Sequence, residues 1–174
     1  MSVTPSTLFS NIFTSFYNRL TADLIDPISS SRNLTNQSTR WIFSSYPDAD
    51  IEAGKIKYPI VIIEPVNGKF DNWTLTKNVM AGAASITVYS TSAAQADNLL
   101  DQIQTSIDGH RHNFRIDDGL GSVLPTGTDS DWIMHGETKV HFRNIRYQFT
   151  YRFSSGVAMT EIPKTLTSNA VVSV

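Results

Sequence analysis

The run Ile86-Thr87-Val88-Tyr89-Ser90-Thr91-Ser92-Ala93-Ala94-Gln95 joins a strand directly to a helix. Apolar and polar side chains alternate from Ile86 to Tyr89, which predicts a half-buried strand. Ser92 and Gln95 have the spacing of a capping box, in which the serine oxygen and the glutamine amide satisfy backbone N–H groups of the first turn. A strand that leads straight into a capped helix predicts a domain of mixed α and β structure.

The helix that begins at Ser92 is predicted to run to Asp108. Asp108-Gly109 ends it, because glycine readily takes the backbone conformation that closes a helix. Its apolar residues recur at a spacing of three and four and form one stripe: Ala96, Leu99, Leu100, Ile103 and Ile107. The stripe needs an apolar partner, which a sheet would supply.

A second amphipathic helix is predicted near the N-terminus, and Asp26-Pro27 ends it because the residue before proline avoids helical angles. Its apolar stripe comprises Leu8, Ile12, Phe13, Phe16, Tyr17, Leu20 and Leu24. Two helices with one apolar stripe each predict an α+β fold, with a mostly antiparallel or mixed sheet and both helices on one of its faces.

Four short strands are predicted between the N-terminal helix and the helix that begins at Ser92. Trp41–Phe43 and Tyr58–Glu64 are apolar runs, and Pro59 must stand at the start of the second. Asn67-Gly68 indicates a turn. Phe70–Val79 and Ser85–Tyr89 then follow as separate strands, with residues 80–83 as a loose connection.

Residues 109–131 contain several Gly and Asp residues and are predicted to form a long loop, which is uncommon in a small domain unless it has a function. A long strand follows, in which apolar residues alternate out of phase on the two sides of Asn144. A β-bulge near Asn144 would bring them onto one face. The other face would then be basic and carry Lys139, Arg143, Arg146 and Arg152.

The basic strand face and the acidic loop predict a contact between subunits. The acidic residues of the loop are Asp117, Asp118, Asp129 and Asp131. In a head-to-tail assembly, opposite charges on neighbouring copies would set the register. The alternative is that the basic residues bind nucleic acid phosphates, which the slightly acidic net charge of -2 does not favour.

The last residues are predicted to form an extended arm. The chain divides into a single domain, 1–153, and an arm, 154–174, that contains few residues able to form a core. Val157, Met159 and Ile162 are its main apolar anchors, and too few to offset the entropy of ordering the arm on its own. We therefore expect the arm to dock on an adjacent subunit.

Composition and motifs argue against several classes of function. There is no cysteine, so disulfides and thiolate metal sites are excluded. No apolar run approaches the roughly 20 residues of a membrane-spanning helix, so no membrane is expected as a partner. No nucleophile motif or acid–base pair is apparent, so we expect no enzyme and no cofactor. A loop metal site at His110 and His112, serving a hydrolase, is the remaining alternative.

The order of these elements resembles a known family. The order begins with an amphipathic helix, a polar connector and a short strand. The strand with Pro59 at its start and a hairpin come next. Ile86–Thr91 then lead into the helix from Ser92, and a long strand comes last. This order is similar to that of the tail terminator, or tail-to-head joining, proteins of tailed bacteriophages.

The resemblance implies a structural virion protein that forms a ring of six subunits at the head-proximal end of the tail tube. Its partners would be other copies of the chain, the tail tube protein and the head-completion or neck proteins, and DNA would pass through the lumen without sequence-specific binding. The protein would act in the virion and assemble in the host cytoplasm. Another neck, tube or head-completion subunit is the alternative.

Overall fold

A mixed five-stranded sheet forms the centre of the fold in the computed structural model, which describes residues 8–29, 41–72, 77–116 and 119–154. The elements are α1 (Leu8–Asp23), β1 (Ile42–Phe43), α2 (Asp48–Glu52), β2 (Ile60–Asn72), β3 (Lys77–Ser90), α3 (Ala93–Gly109), α4 (Arg111–Ile116), β4 (Leu120–His135) and β5 (Thr138–Ser154). The strand order is β1-β2-β3-β5-β4, and of the strand pairs in the described residues only β1 and β2 are parallel. The predicted α+β class with a mixed sheet is confirmed.

Helices α1 and α3 pack on the same face of the sheet, as their apolar stripes predict. Their buried side chains share one core with alternate residues of the strands: Ile12, Phe16 and Leu20 of α1, Leu99 and Ile103 of α3, and Val61, Ile63, Ile86, Val88, Ile145, Tyr147 and Phe149 of the sheet. The two helices also contact each other, since Ser106 Oγ donates to Asp23 Oδ2 at 2.7 Å. One layer of helices therefore covers one side of the sheet.

Phe16 lies at the centre of this core. Its ring centroid is 5.2 Å from that of Phe114, 6.4 Å from that of Tyr147 and 6.3 Å from that of Phe149. Offset and tilted aromatic contacts at these separations add to the energy of burying the rings. The aromatic cluster thus joins α1, α4 and β5.

The opposite face of the sheet carries a smaller second core. Ile60 and Ile62 of β2 point to this side, because successive residues of a strand alternate between faces, and they pack with Ile56. The partly buried side chains around them are Phe43, Tyr46, Ile51, Tyr58 and Tyr89. The segment that contains α2 therefore covers one end of this second face.

The start of α3 confirms the predicted cap but changes one of its partners. Ser92 Oγ accepts a hydrogen bond from the backbone N–H of Gln95 at 3.4 Å. The Gln95 amide oxygen does not reach the Ser92 backbone and instead accepts from Ser90 Oγ at 2.6 Å. Ser90 Oγ in turn accepts from the Ser92 N–H at 3.1 Å. The buried Ser90 hydroxyl therefore stands between the Ser92 backbone and the Gln95 side chain, which bond directly in a standard capping box.

Strands β2 and β3 form one long hairpin, so the predicted turn at Asn67-Gly68 and the predicted connection at residues 80–83 are both wrong. Gly68 pairs with Gly82 inside the hairpin, beside a register shift in β2 between Val66 and Gly68. A Cβ atom on Gly82 would lie 2.9 Å from Cζ of Phe149, so glycine here leaves room for a core ring. The glycines that suggested breaks therefore serve packing within strands.

Strand β5 has no bulge at Asn144, and its predicted single apolar face is wrong. Its pairing with β3 runs without a shift from Lys77 opposite Ser154 to Ser90 opposite His141. The bulges occur in the neighbouring strand β4. The apolar residues of β5 instead change face at Asn144: Ile145 lies in the helix-side core, whereas the Phe142 ring contacts that of Tyr89 on the other face in a tilted arrangement, with centroids 6.0 Å apart.

The predicted loop 109–131 is wrong, because the chain there forms α4 and most of β4. Strand β4 is exposed along nearly its whole length, so its sequence lacks the alternation of buried and exposed residues that marks a strand. Ser154, which the sequence assigns to the arm, is the last residue of β5, and residues 155–174 of the predicted arm lie outside the described residues.

Candidate assembly surface

Strand β4 forms an edge of the sheet. It is the last strand in the order, and within the described ranges only β5 pairs with it. An edge of 16 residues presents a row of backbone N–H and C=O groups that another chain can bind. Pro125 and the two register shifts in β4 limit indefinite edge-to-edge pairing, since both interrupt the regular ladder.

Large apolar side chains are exposed on this strand. Four of the five exposed large hydrophobic residues of the described chain lie on β4: Leu124, Trp132, Ile133 and Met134. Trp132 is 50% exposed and Met134 56% exposed. Three of the four are consecutive and precede the tight turn at Gly136, whose φ of 59° suits glycine. A cluster of this kind at a hairpin tip marks a surface for protein contact.

Lys139 lies at the same tip. Its ammonium group is 4.6 Å from the centroid of the Trp132 ring, which places a positive charge over an aromatic face. We call Trp132, Ile133, Met134 and Lys139 the hairpin tip. Aromatic and methionine side chains are enriched at protein interfaces, so the composition of the tip fits that use.

The other predicted basic residues do not share one face. Arg143 points to the helix side and binds both carboxylate oxygens of Asp97 on α3, with a second contact from Nη2 to Oδ2 at 3.5 Å. Arg146 lies on the opposite face and donates to Asp129 Oδ2 of β4 at 2.7 Å. Since β5 has no bulge, residues at odd spacing fall on different faces, and the predicted continuous basic face is wrong.

The predicted acidic partners are divided in the same way. Asp129 pairs with Arg146 of its own chain, so two of the predicted interface residues neutralise each other. Asp131 accepts from the backbone N–H of Trp132 at 2.8 Å and lies beside the hairpin tip. The other predicted interface residues lie outside the described structure: Asp117, Asp118, Val157, Met159 and Ile162. The backbone of Arg152 is described as part of β5, but its side chain is not.

A cluster of tyrosines lies near the hairpin tip, on the face of the sheet opposite α1 and α3. Tyr46 and Tyr58 share a hydrogen bond between their hydroxyl oxygens, and the Tyr46 ring meets Tyr89 edge-on at 4.9 Å. Burial raises the pKa of all three phenols, and for Tyr46 the hydrogen bond to Tyr58 adds to this effect. The phenols therefore remain neutral at ordinary pH and act as rigid packing groups.

The sites weighed for enzyme chemistry are not brought together. His110 closes α3, with Nδ1 2.8 Å from the Ser106 carbonyl oxygen and 3.3 Å from Asp23 Oδ2, whereas His112 is exposed on α4. A concavity of about 550 Å³ on the sheet is lined by Gly68, Ala81, Gly82, Ala83, Ser122, Leu124, Gln148, Phe149 and Thr150. None of these lining residues can act as an acid or base at neutral pH.

The apolar residues of the hairpin tip are not among those that sequence reasoning predicts as a contact surface. Their signal is Trp132-Ile133-Met134, three large apolar residues that follow the predicted loop and precede His135 and the Gly136-Glu137 turn. Such a triplet between a polar segment and a turn indicates either a core or a contact surface.

Comparisons with known proteins add no relative. No helix in the described residues is long and apolar enough to cross a membrane. No protein-family model matches the sequence, and no curated protein matches it significantly.

Proposed function

We propose that this chain is a structural subunit that assembles into a closed ring, and that the ring is the tail terminator of a tailed bacteriophage. The observation that carries the proposal is strand β4, a long sheet edge with four exposed large apolar side chains, three of which belong to the hairpin tip. A subunit that works by assembly needs such a surface and needs no reactive group.

The sheet offers a second edge that suits a head-to-tail contact. β1 pairs with β2 only at Val61 and Ile62, so β2 beyond Ile62 has no outer strand partner in the described part of the chain. β2 and β4 run in opposite directions, because three antiparallel pairings separate them. Rotation of copies about an axis along the strands would bring β4 of one copy antiparallel to β2 of the next.

Two unlike edges favour a ring over a two-fold dimer. An interface between different surfaces is repeated by each added copy, and it closes when the rotations sum to a full turn. The family that the element order resembles forms rings of six, and we propose that number here. The ring would cap the tail tube, contact the head-completion proteins and let DNA pass through its lumen, in the virion and during assembly in the host cytoplasm.

The charges support assembly over nucleic acid binding. Arg143 and Arg146 are both held by carboxylates of their own chain, so phosphate binding by either would require an ion pair to break. Two alternatives to the terminator are a nucleic-acid-binding module and another neck, tube or head-completion subunit. Each predicts a different result from the terminator in the experiments below.

The assembly surface can be tested by making the tip polar. The double substitution Trp132→Ser and Met134→Ser removes exposed apolar area without touching the core, so the chain should keep its parental melting temperature but sediment as a monomer. Ile25→Ser is the matched control, because Ile25 is 74% exposed and lies after α1, far along the chain from β4. If the double variant assembles like the parent, the tip is not the interface.

The terminator role can be tested with the tail tube protein of the same virus. Purified rings added during tube polymerisation should shorten the tubes, and electron micrographs should show a ring at one end of each. Tubes of unchanged length would contradict the terminator role. Salt-sensitive retention of the chain on DNA, with no effect on tubes, would favour the nucleic-acid alternative.

A further inference from the structure

Three potential metal ligands from separate parts of the chain meet beside the hairpin tip. Asp48 and Glu52 are four residues apart on α2, so both side chains lie on the same side of that helical turn. His135 is the last residue of β4. One ligand atom from each of the three residues lies within 4.8 Å of the other two.

The distances fit the coordination of a small divalent cation. His135 Nε2 is 3.3 Å from Asp48 Oδ1. Bonds of about 2.0–2.2 Å to a tetrahedral zinc place neighbouring donors about 3.3–3.6 Å apart. The Asp48 to His135 distance therefore matches one edge of such a tetrahedron, and a modest rotation of the exposed Glu52 side chain would supply a second carboxylate oxygen.

The imidazole is the best-fixed of the three donors. The His135 side chain is 23% exposed, and its ring meets those of Tyr46 and Tyr58 edge-on at centroid distances of 6.4 Å and 6.3 Å. The Asp48 carboxylate is 65% exposed, so solvent has access to the cluster. His135 would therefore act as a positioned ligand, and the exposed carboxylates of Asp48 and Glu52 could adjust to the ion and leave it a path from solvent.

We propose that Asp48, Glu52 and His135 bind one divalent transition-metal cation of the zinc type. Nitrogen and carboxylate donors together suit such cations, whereas magnesium and calcium prefer sites made only of oxygen. A bound ion would clamp α2 to the end of β4 and so stiffen the β4–β5 turn. The site differs from the loop site at His110 and His112, and it does not depend on the proposed ring.

Titration of the metal-free full-length chain with Zn²⁺, followed by calorimetry and native mass spectrometry, tests the proposal. We expect one Zn²⁺ per chain, a higher melting temperature with Zn²⁺ than with a chelator, and at least tenfold weaker binding of Mg²⁺. His135→Ala and Glu52→Gln should each weaken Zn²⁺ binding at least tenfold.

Matched controls separate this site from unspecific binding. Asp50→Asn removes a neighbouring carboxylate on α2 that pairs with Lys55 at 3.3 Å, and His112→Ala removes an exposed histidine on α4. Both should bind Zn²⁺ like the parent. A melting temperature in chelator equal to the parent's shows that each variant is folded. Zn²⁺ binding that survives both His135→Ala and Glu52→Gln, or no stoichiometric binding by the parent, would overturn the proposal.

Discussion

Gly82→Ala and Phe149→Ala should be strongly coupled, because the Phe149 ring occupies the space that a side chain at position 82 would need. An ideal Cβ atom on Gly82 would lie 2.9 Å from Cζ and 3.1 Å from Cε2 of Phe149. Phe149 is 3% exposed and packs on Phe16, so its ring has little room to move away. The two residues also pair directly across β3 and β5.

The expected magnitudes follow from packing. Phe149→Ala should cost about 3–5 kcal/mol, the range for removing a buried aromatic ring. Gly82→Ala alone should cost about 1–2 kcal/mol, since overpacking of about 1–3 kcal/mol is partly offset by the lower backbone entropy that alanine loses on folding. In the Phe149→Ala background the ring is gone and only the flexible Met80 side chain lies close, with its Cε 3.1 Å from the new methyl, so Gly82→Ala should stabilise by about 0.5–1 kcal/mol. The coupling free energy is therefore about 1.5–3 kcal/mol.

Urea unfolding of the parent, both single variants and the double variant measures this coupling. Gly127→Ala is the matched control, because no heavy atom lies within 4 Å of a Cβ at that glycine. Its free energy of unfolding should stay within about 0.5 kcal/mol of the parent's. Additive effects of Gly82→Ala and Phe149→Ala would refute the packing of β3 against β5 described above.

Four further predictions concern polar groups of the core and the arm. Tyr147→Phe should raise the free energy of unfolding by about 1 kcal/mol, because the Tyr147 hydroxyl is buried without a hydrogen-bond partner in the described structure. Thr87→Val should lower the free energy of unfolding by about 1 kcal/mol, because Thr87 Oγ1 accepts a hydrogen bond from Asn144 Nδ2 at 2.7 Å. Burial raises the pKa of Tyr46 and Tyr147 above the usual 10.0, so the folded state favours the neutral phenols, and stability should fall as the pH rises above 10.0, less steeply in Tyr147→Phe. Deletion of residues 155–174 should leave the monomer's urea midpoint unchanged but shift sedimentation toward free subunits, whereas a large loss of monomer stability with unchanged assembly would place the arm in its own chain's core.

The parts of the fold that could be predicted are those in which one face is buried. The apolar stripes of α1 and α3 have the period that a single buried face imposes, whereas the β2 run after Pro59 is apolar at every position because both of its faces are buried. The apolar residues that form these sequence patterns are the same residues whose burial stabilises the helices and the strand. The packing of both helices on one face followed from that pattern.

Strand β4 could not be predicted in this way. Its stability comes mainly from backbone pairing with β5, and only Leu120 and Val123 are buried along it. Gly121 and Gly127 lie beside its register shifts and resemble loop residues in sequence. The apolar residues of the hairpin tip could not be predicted either, since exposed apolar residues have no periodic pattern in the sequence.

The charged residues failed as a predicted surface for a related reason. A period of two places Arg143 and Arg146 on opposite faces unless a bulge intervenes, and the bulges are in β4. Which strand of a pair carries a bulge depends on the partner's register, and the partner was not recognised as a strand. The cluster of Asp48, Glu52 and His135 could not be predicted, because His135 lies 83 positions after Glu52 in the sequence.

The central claim, that this chain closes into a ring of defined size, is tested most directly by the native mass of the purified full-length protein across a range of concentrations. The account predicts one discrete species at six times the 19.3 kDa chain mass, with no intermediate sizes at saturation. A protein that remains at the mass of one chain at every concentration, or that forms fibres without a fixed end point, would contradict it.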